Sequence, residues 1–242
     1  MANFSDINKE HWDNLASRYL EKDWTKVMIN QAADFMHSKV EWMGLHQLDD
    51  AELQSRNGPS LLDYACGPGS VSKALWPYFS KIRGIDLSPN MAKEFNKWVS
   101  SQPDLGPRSA NAISGDLLLA EGPSESTRGP EYENFDVAIV SFAFHHFEHP
   151  DVAARRLVDR LKVGGTFVII DLLPHEHGIA HGHSTHTIAH NGFSNEKTKE
   201  ILEGAGCTDV DIVIMDGTAK IFVADNAEPF EAKVFMAKGR KA

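Results

Sequence analysis

Residues 60–73 read SLLDYACGPGSVSK: a short apolar run, a turn built on Ala65, Gly67 and Gly69, and then a stretch of helical composition. A strand that runs straight into a helix through small residues lets a ligand reach the backbone at the helix N-terminus. A second candidate strand, KIRGIDL (81–87), brings Asp86 to its end, nineteen positions after Gly67. In an open parallel sheet ligands bind at the carboxyl ends of the strands, where such a carboxylate can accept both hydroxyls of a ribose. The turn does not follow the G-x-G-x-x-G spacing of the nicotinamide-binding fingerprint, so ACGPG calls for a different template.

Working outward, the same rhythm recurs. Strands are expected at 60–65, 81–87, 112–118, 135–144 and 165–173, with helices between them in SVSKALWPYF, NMAKEFNKWVSS and DVAARRLVDRLKVGG. That alternation is the mark of a parallel α/β sheet. Ser194 is placed to cap a helix in NEKTKEILEGAG, DVDIVIM and KVFMAKG are β-rich, and GTAKIFVAD between them is less defined. Residues 119–133 are rich in Gly, Pro and Ser and read as a surface loop. Ahead of the turn cluster SRNGPS (55–60), two amphipathic helices are expected between Ser5 and Gly44, carrying Trp12, Leu15, Tyr19 and then Met28, Ala32, Phe35 and Met36 at helical spacing. Residues 1–57 thus form a helical cap within the same domain as the sheet of residues 58–242.

Composition narrows the classes. A chain of 242 residues that is 42% hydrophobic can bury one large core. Its net charge of −10 and its 24 scattered lysines and arginines argue against a nucleic-acid partner. The first thirty residues carry charges every few positions, so they hold neither a secretory apolar region nor a membrane span. Cys66 and Cys207 do not make a disulfide framework in a protein of this size. Together these features place the protein, as an expectation, in the cytoplasm.

Five segments in order, LLDYACGPG, GIDLSPNM, SGDLL, FDVAIVSFAFHHFEHP and LKVGGTFVIID, resemble the class I S-adenosylmethionine-dependent methyltransferases across residues 58–173. The likeness is greatest to the small-molecule branch of ubiquinone and menaquinone type. It implies a Rossmann-like, seven-stranded, mostly parallel sheet with helices on both faces, and S-adenosylmethionine as cofactor. By this resemblance Asp63, Ala65, Gly67 and Gly69 hold the methionine part and Asp86 the ribose hydroxyls. Leu87 and Met91 pack on the adenine, Asp116 after Gly115 receives its amine, and Leu117 flanks the ring. Ser141 and Phe142 lie beside the methionine and the sulfonium, and Tyr19 closes over the cofactor. Ala65 stands where the family usually has glycine. The implied reaction is methyl transfer to oxygen, nitrogen or sulfur of a small metabolite, with no nucleic-acid or membrane partner. Oxygen is favoured because histidine bases are at hand, and SFAF at the fourth strand end differs from the Asn-Pro-Pro-Tyr of amine-methylating enzymes. Two rival readings are a relative that binds the cofactor without methylating, acting as a cyclase or regulator, and a metal-binding protein. Nothing in the sequence sets the oligomeric state.

For the reaction, His145 is the expected general base, directly after the fourth strand, with His146 beside it and facing the substrate; a structural role for this pair is the competing reading. Trp12, Tyr19 and Trp24 are candidates for a cap over the ligands. The segment PHEHGIAHGHSTHTIAHNGFS (174–194) holds six of the chain's 12 histidines. It resembles no zinc helix and has no cysteine pair nearby, so it is read as a polar cover over the acceptor site, with His190 and Phe193 turned toward the substrate and no metal.

Overall fold

Ser60–Tyr64 (β1) is buried at every position, as befits a central parallel strand covered on both faces. On one side it pairs with Lys81–Asp86 (β2), and β2 pairs with Ser109–Ser114 (β3); on the other it pairs with Phe135–Ser141 (β4), all parallel. Beyond β4 lie Leu161–Leu172 (β5), parallel, then Val234–Lys241 (β9), antiparallel to both β5 and Cys207–Ile214 (β6). The seven-stranded order is therefore β3-β2-β1-β4-β5-β9-β6. Strand order reverses between β1 and β4, which opens a crevice at their carboxyl ends. Ala219–Ile221 (β7) and Phe230–Ala232 (β8) form a separate antiparallel ribbon. The computed structural model describes residues 3–54, 58–102, 108–175, 185–222 and 228–242.

The helices are Phe4–Tyr19 (α1), Asp23–Ser38 (α2), Asp50–Gln54 (α3), Ser70–Ala74 (α4), Pro89–Ser100 (α5), Pro150–Asp159 (α6) and Asn195–Gly204 (α7). Alternate strand residues feed two apolar layers. Leu61, Ile139 and Val168 join Met36, Leu75 and Phe95 on one face; Leu62, Ile169 and Phe235 join Leu157 and Leu202 on the other. Asn3 caps α1 reciprocally with Asp6, and Ser88 and Ser194 cap α5 and α7 by accepting from Met91 and Lys197 N–H.

Four boundaries differ from the sequence reading. β3 ends at Ser114 rather than 118, because the Asp116 carboxylate accepts from Leu118 N–H (2.6 Å) and bends the chain into a turn. β4 stops at Ser141, since Phe142 has φ +50° and Phe144–His146 is a 3₁₀ turn. Residues 161–164, expected as a helix end, open β5; the helix finishes at Asp159, and Leu161 pairs with Phe135 ahead of a register shift. The second N-terminal helix stops at Ser38, short of Gly44.

Candidate active site

At the end of β1 the chain turns through Ala65 (φ +55°), Gly67 (φ +51°) and Gly69 (φ +86°). Asp86 fastens this turn: its carboxylate accepts from Gly67 N–H (2.8 Å) and from Ser88 N–H (2.8 Å), joining the ends of β1 and β2 to the start of α5. Burial pushes the Asp86 carboxyl up to about 6 against the opposing pull of these two bonds, and the charge of Asp13 adds to the rise. Asp63 is 1% exposed and takes the Ser72 hydroxyl at 2.6 Å; burial raises it to about 7. It sits behind the turn, bracing α4, and does not line the cleft. Gly69 is likewise set by packing, since a Cβ there would lie 2.9 Å from the Phe95 ring, and Gly115 is backed by Thr127 at 2.4 Å from such a Cβ.

Across the crevice, Asp116 accepts from Leu118 N–H and from the Ser5 hydroxyl (3.1 Å), while its own N–H donates to Ser124 Oγ (2.9 Å). The Tyr64 hydroxyl accepts from Leu117 N–H at 3.2 Å. The same Asp116 turn rotates Leu117 into the core, fully buried, and leaves Leu118 and Leu119 on the wall. The apolar neighbour expected at 117 is thus displaced by one residue.

The roof is α1 and α2. Asp13 on α1 accepts from Ser88 Oγ (2.7 Å), Asn90 N–H (2.9 Å) and Asn90 Nδ2 (2.9 Å), which clamps α1 over the first turn of α5. One face of α1 then presents Ser5, Asn8, Trp12 and Tyr19 to the cleft, and α2 presents Met28, Ile29, Ala32 and Met36. Burial and the Asp86 charge push the Tyr19 phenol up to about 12, so it stays a donor. The cleft measures about 550 Å³ and is also lined by Ala65, Gly67, Asp86, Leu87, Met91, Asp116, Ser141, Phe142 and His146. A second hollow of about 620 Å³ lies at the opposite, amino ends of the strands. Its cations are committed, Lys162 to Asp136 and Arg240 to the Gly164 carbonyl, so the crevice at the carboxyl ends is the candidate site.

The histidine pair divides its duties. His145 Nδ1–H donates to Asp171 Oδ1 (2.7 Å) and its backbone N–H to Oδ2 (3.0 Å); Asp171 is fully buried, and the His145 ring is not on the cleft wall. The His145 carbonyl in turn accepts from Ala189 and His190 N–H. His146 is on the wall, its ring 4.2 Å from that of His145 and edge-on to Trp12 at 5.4 Å. Its Nδ1–H donates to the Thr187 carbonyl (2.7 Å), leaving Nε2 with a free lone pair. Burial, aided by His145, holds its pKa well below the ordinary imidazole value, so the ring is neutral. Of the histidine-rich segment, His177, His181 and His183 lie outside the described residues. The His186 ring meets His11 at 5.1 Å, and His190 Nε2–H donates to the Phe147 carbonyl (3.0 Å). Phe193 is 5% exposed and packs on Phe144. His190 and Phe193 therefore turn inward, but into the protein rather than onto the cleft wall. Among the described residues, no group of three His, Cys, Asp or Glu side chains is placed to hold a metal ion, and no helix is long and apolar enough to cross a membrane.

Residues 62–169 match the model of a methyltransferase domain. The match covers a little under half of the chain. The matched span runs from β1 into β5 and so contains the glycine turn, Asp86, Asp116 and the histidine pair. An uncharacterized methyltransferase of Schizosaccharomyces pombe is 27% identical over 165 residues, covering 65% of this chain and 56% of its own. The chain spans about half the length of the curated relatives it matches. Two solved structures share the fold. The YcgJ protein from Bacillus subtilis gives a TM-score of 0.59 at 17% identity, over 85% of this chain and 98% of that one. Magnesium protoporphyrin IX methyltransferase from Synechocystis, with bound S-adenosylmethionine, gives 0.61 at 15% identity, over 100% and 99%.

The cleft suits a ligand of this kind by its own chemistry. Asp86 and Asp116 are buried carboxylates on its wall, matched by no lysine or arginine among the residues lining it. Asn8 is 6% exposed and its Oδ1 has no hydrogen-bond partner, so a donor must come from whatever fills the cleft. The S-adenosylmethionine molecule offers hydroxyl, amine and ammonium donors and a positive sulfonium. Asn8, Tyr64, Leu118 and the α2 face are wall residues that the sequence reading did not single out. A polar Asn8 one turn from Phe4 and from Trp12, on an otherwise apolar helix face, was the signal available for the first of them.

Proposed function

We propose that this protein is an S-adenosylmethionine-dependent methyltransferase acting on a small molecule, with oxygen as the favoured acceptor atom. The observation that carries the reading is the roofed cleft at the β1–β4 switch point, lined by two buried carboxylates and by a histidine whose Nδ1–H is held by the Thr187 carbonyl. Solved neighbours of the same fold, recorded with S-adenosylmethionine or its demethylated product bound, support the choice of cofactor. When bound, the cofactor supplies an electrophilic methyl: the acceptor lone pair forms the new bond to carbon as the carbon–sulfur bond breaks and its electron pair stays on sulfur.

The remaining work belongs to the chain. In this reading the backbone of Ala65 and Gly67 and the Tyr19 hydroxyl receive the methionine end, while Asp86 keeps Gly67 in place and uses its unspent lone pairs on the ribose. Asp116 takes an adenine amine hydrogen between Leu87, Met91 and Leu118. Asp63, Gly69 and Gly115 position the turn without touching the ligand. Ser141 and Phe142 border the reacting end, with Phe142 held in its positive-φ conformation by Phe142 N–H donating to the Ile170 carbonyl (2.8 Å). His146 Nε2 accepts the acceptor's proton, and His145, fixed by Asp171, is the positioning residue behind it. Proximity and exclusion of water under α1 and α2 do most of the rest.

The test is transfer of label from methyl-labelled S-adenosylmethionine into a metabolite extract, with binding of S-adenosylhomocysteine measured in parallel. His146→Ala is expected to slow transfer by about 10²–10⁴-fold while leaving product affinity within about threefold. Full transfer by the variant would remove His146 as the base; binding without any transfer would favour the non-methylating relative.

A further inference from the structure

Among the described residues, every formal charge lining the cleft is negative. Asp86 and Asp116 stand on its inner wall, 7% and 8% exposed, and Glu121 and Glu148 at its rim. No lysine or arginine lines it among the described residues. Residues 174–194, the segment after β5, contain neither in their sequence, and the chain as a whole carries −10. Much of the remaining wall is apolar: Trp12 from α1, edge-on to the His146 ring, Met28, Ile29 and Met36 from α2, and Phe142 from the end of β4.

From this juxtaposition we propose that the acceptor is an uncharged, apolar molecule, and that metabolites carrying a phosphate or carboxylate are rejected because nothing on the wall offsets the loss of their hydration. The inference rests on the methyl-transfer reading above and adds the substrate class to it. An anion entering the acceptor side would lose its water against an apolar wall, where no lysine or arginine among the described residues lining the cleft replaces the lost hydration. That uncompensated desolvation is expected to give a discrimination of at least about a hundredfold between an uncharged acceptor and its carboxylated counterpart. The cofactor's own carboxylate is not a counter-example, because the ammonium and sulfonium of the same molecule balance its charge. A neutral hydroxyl also suits the base, since it gives up its proton to a neutral imidazole rather than having to arrive already ionised.

The experiment uses the full chain. A metabolite extract of the source cells is divided by anion and cation exchangers in series near neutral pH into flow-through and retained fractions. Each fraction is dialysed against protein saturated with S-adenosylhomocysteine, and compounds concentrated on the protein side are read by mass. Each is also incubated with methyl-labelled S-adenosylmethionine. The proposal expects both the enriched compound and the labelled product in the flow-through fraction. Met28→Arg, which sets a guanidinium on the acceptor wall, is expected to lower that enrichment at least about tenfold while still binding S-adenosylhomocysteine. Enrichment and label confined to the retained fraction would overturn the charge inference and leave methyl transfer standing. Label in neither fraction would remove the methyl-transfer reading itself, and this inference with it.

Discussion

Asp63 gives a pH dependence whose size follows from its surroundings. Its carboxyl is 1% exposed beneath the glycine turn and is raised by burial from 3.8 to about 7. Because the folded protein holds the proton more tightly than the unfolded chain, the stability from this group is fully present below pH 3.8. It is lost progressively as pH rises to about 7. At 1.36 kcal/mol for each tenfold change, ionising the buried carboxyl costs on the order of 4 kcal/mol, of which about 3 kcal/mol is incurred between about pH 5 and pH 8. Asp63→Asn removes the charge but keeps an oxygen for the Ser72 hydroxyl at 2.6 Å, so the fold survives. Thermal unfolding of the two proteins across that range is the assay. The variant is expected to gain on the parent as pH rises, the gap in Tm widening by roughly 6–12 °C for a chain of this size. Taking the difference cancels other titrating groups, Asp86 among them to the extent that the two do not interact. A gap that stays constant with pH would refute the argument that Asp63 is held protonated by burial.

Other consequences are as direct. Ala65→Gly relieves an L-residue at φ +55° and is expected to raise stability by about 0.5–1 kcal/mol in chemical denaturation, the relief outweighing glycine's greater unfolded-state freedom. Gly69→Ala should lower stability by about 2–4 kcal/mol by the same measurement, since the added methyl meets Phe95 at 2.9 Å in a positive-φ conformation. Turnover is expected to persist further into acid than an ordinary imidazole base would allow, because burial holds His146 neutral there; a pH–rate profile falling at the ordinary histidine value would argue against His146.

The parts of this molecule that could be read from the chain are those where one signal dominates. β1 and β4 are apolar runs flanked by turns, and the fixed distance from Gly67 to Asp86 follows from a strand-helix-strand unit of ordinary length. Periodicity sets β3 too far along the chain because its strand residues, SANAIS, are more polar than the LLL that follows. The LLL becomes wall and core only through the Asp116 turn, a side-chain to backbone bond that periodicity does not encode. The choice between His145 and His146 is of the same kind. Adjacent residues in a 3₁₀ turn point in different directions, and the outcome is fixed by Asp171 and the Thr187 carbonyl, which lie 26 and 41 residues downstream. The inward rotation of His190 and Phe193 depends in the same way on Phe147 and Phe144.

The central claim is that Asp86 holds the glycine turn and the ribose end of a nucleoside cofactor. Calorimetric titration of the full chain with S-adenosylhomocysteine tests it most directly. The account predicts saturable one-site binding that weakens at least about tenfold in Asp86→Ala, a variant that gives up charge-assisted bonds to Gly67 and to the ligand together. Absence of binding to the parent, or equal affinity in the variant, would contradict it.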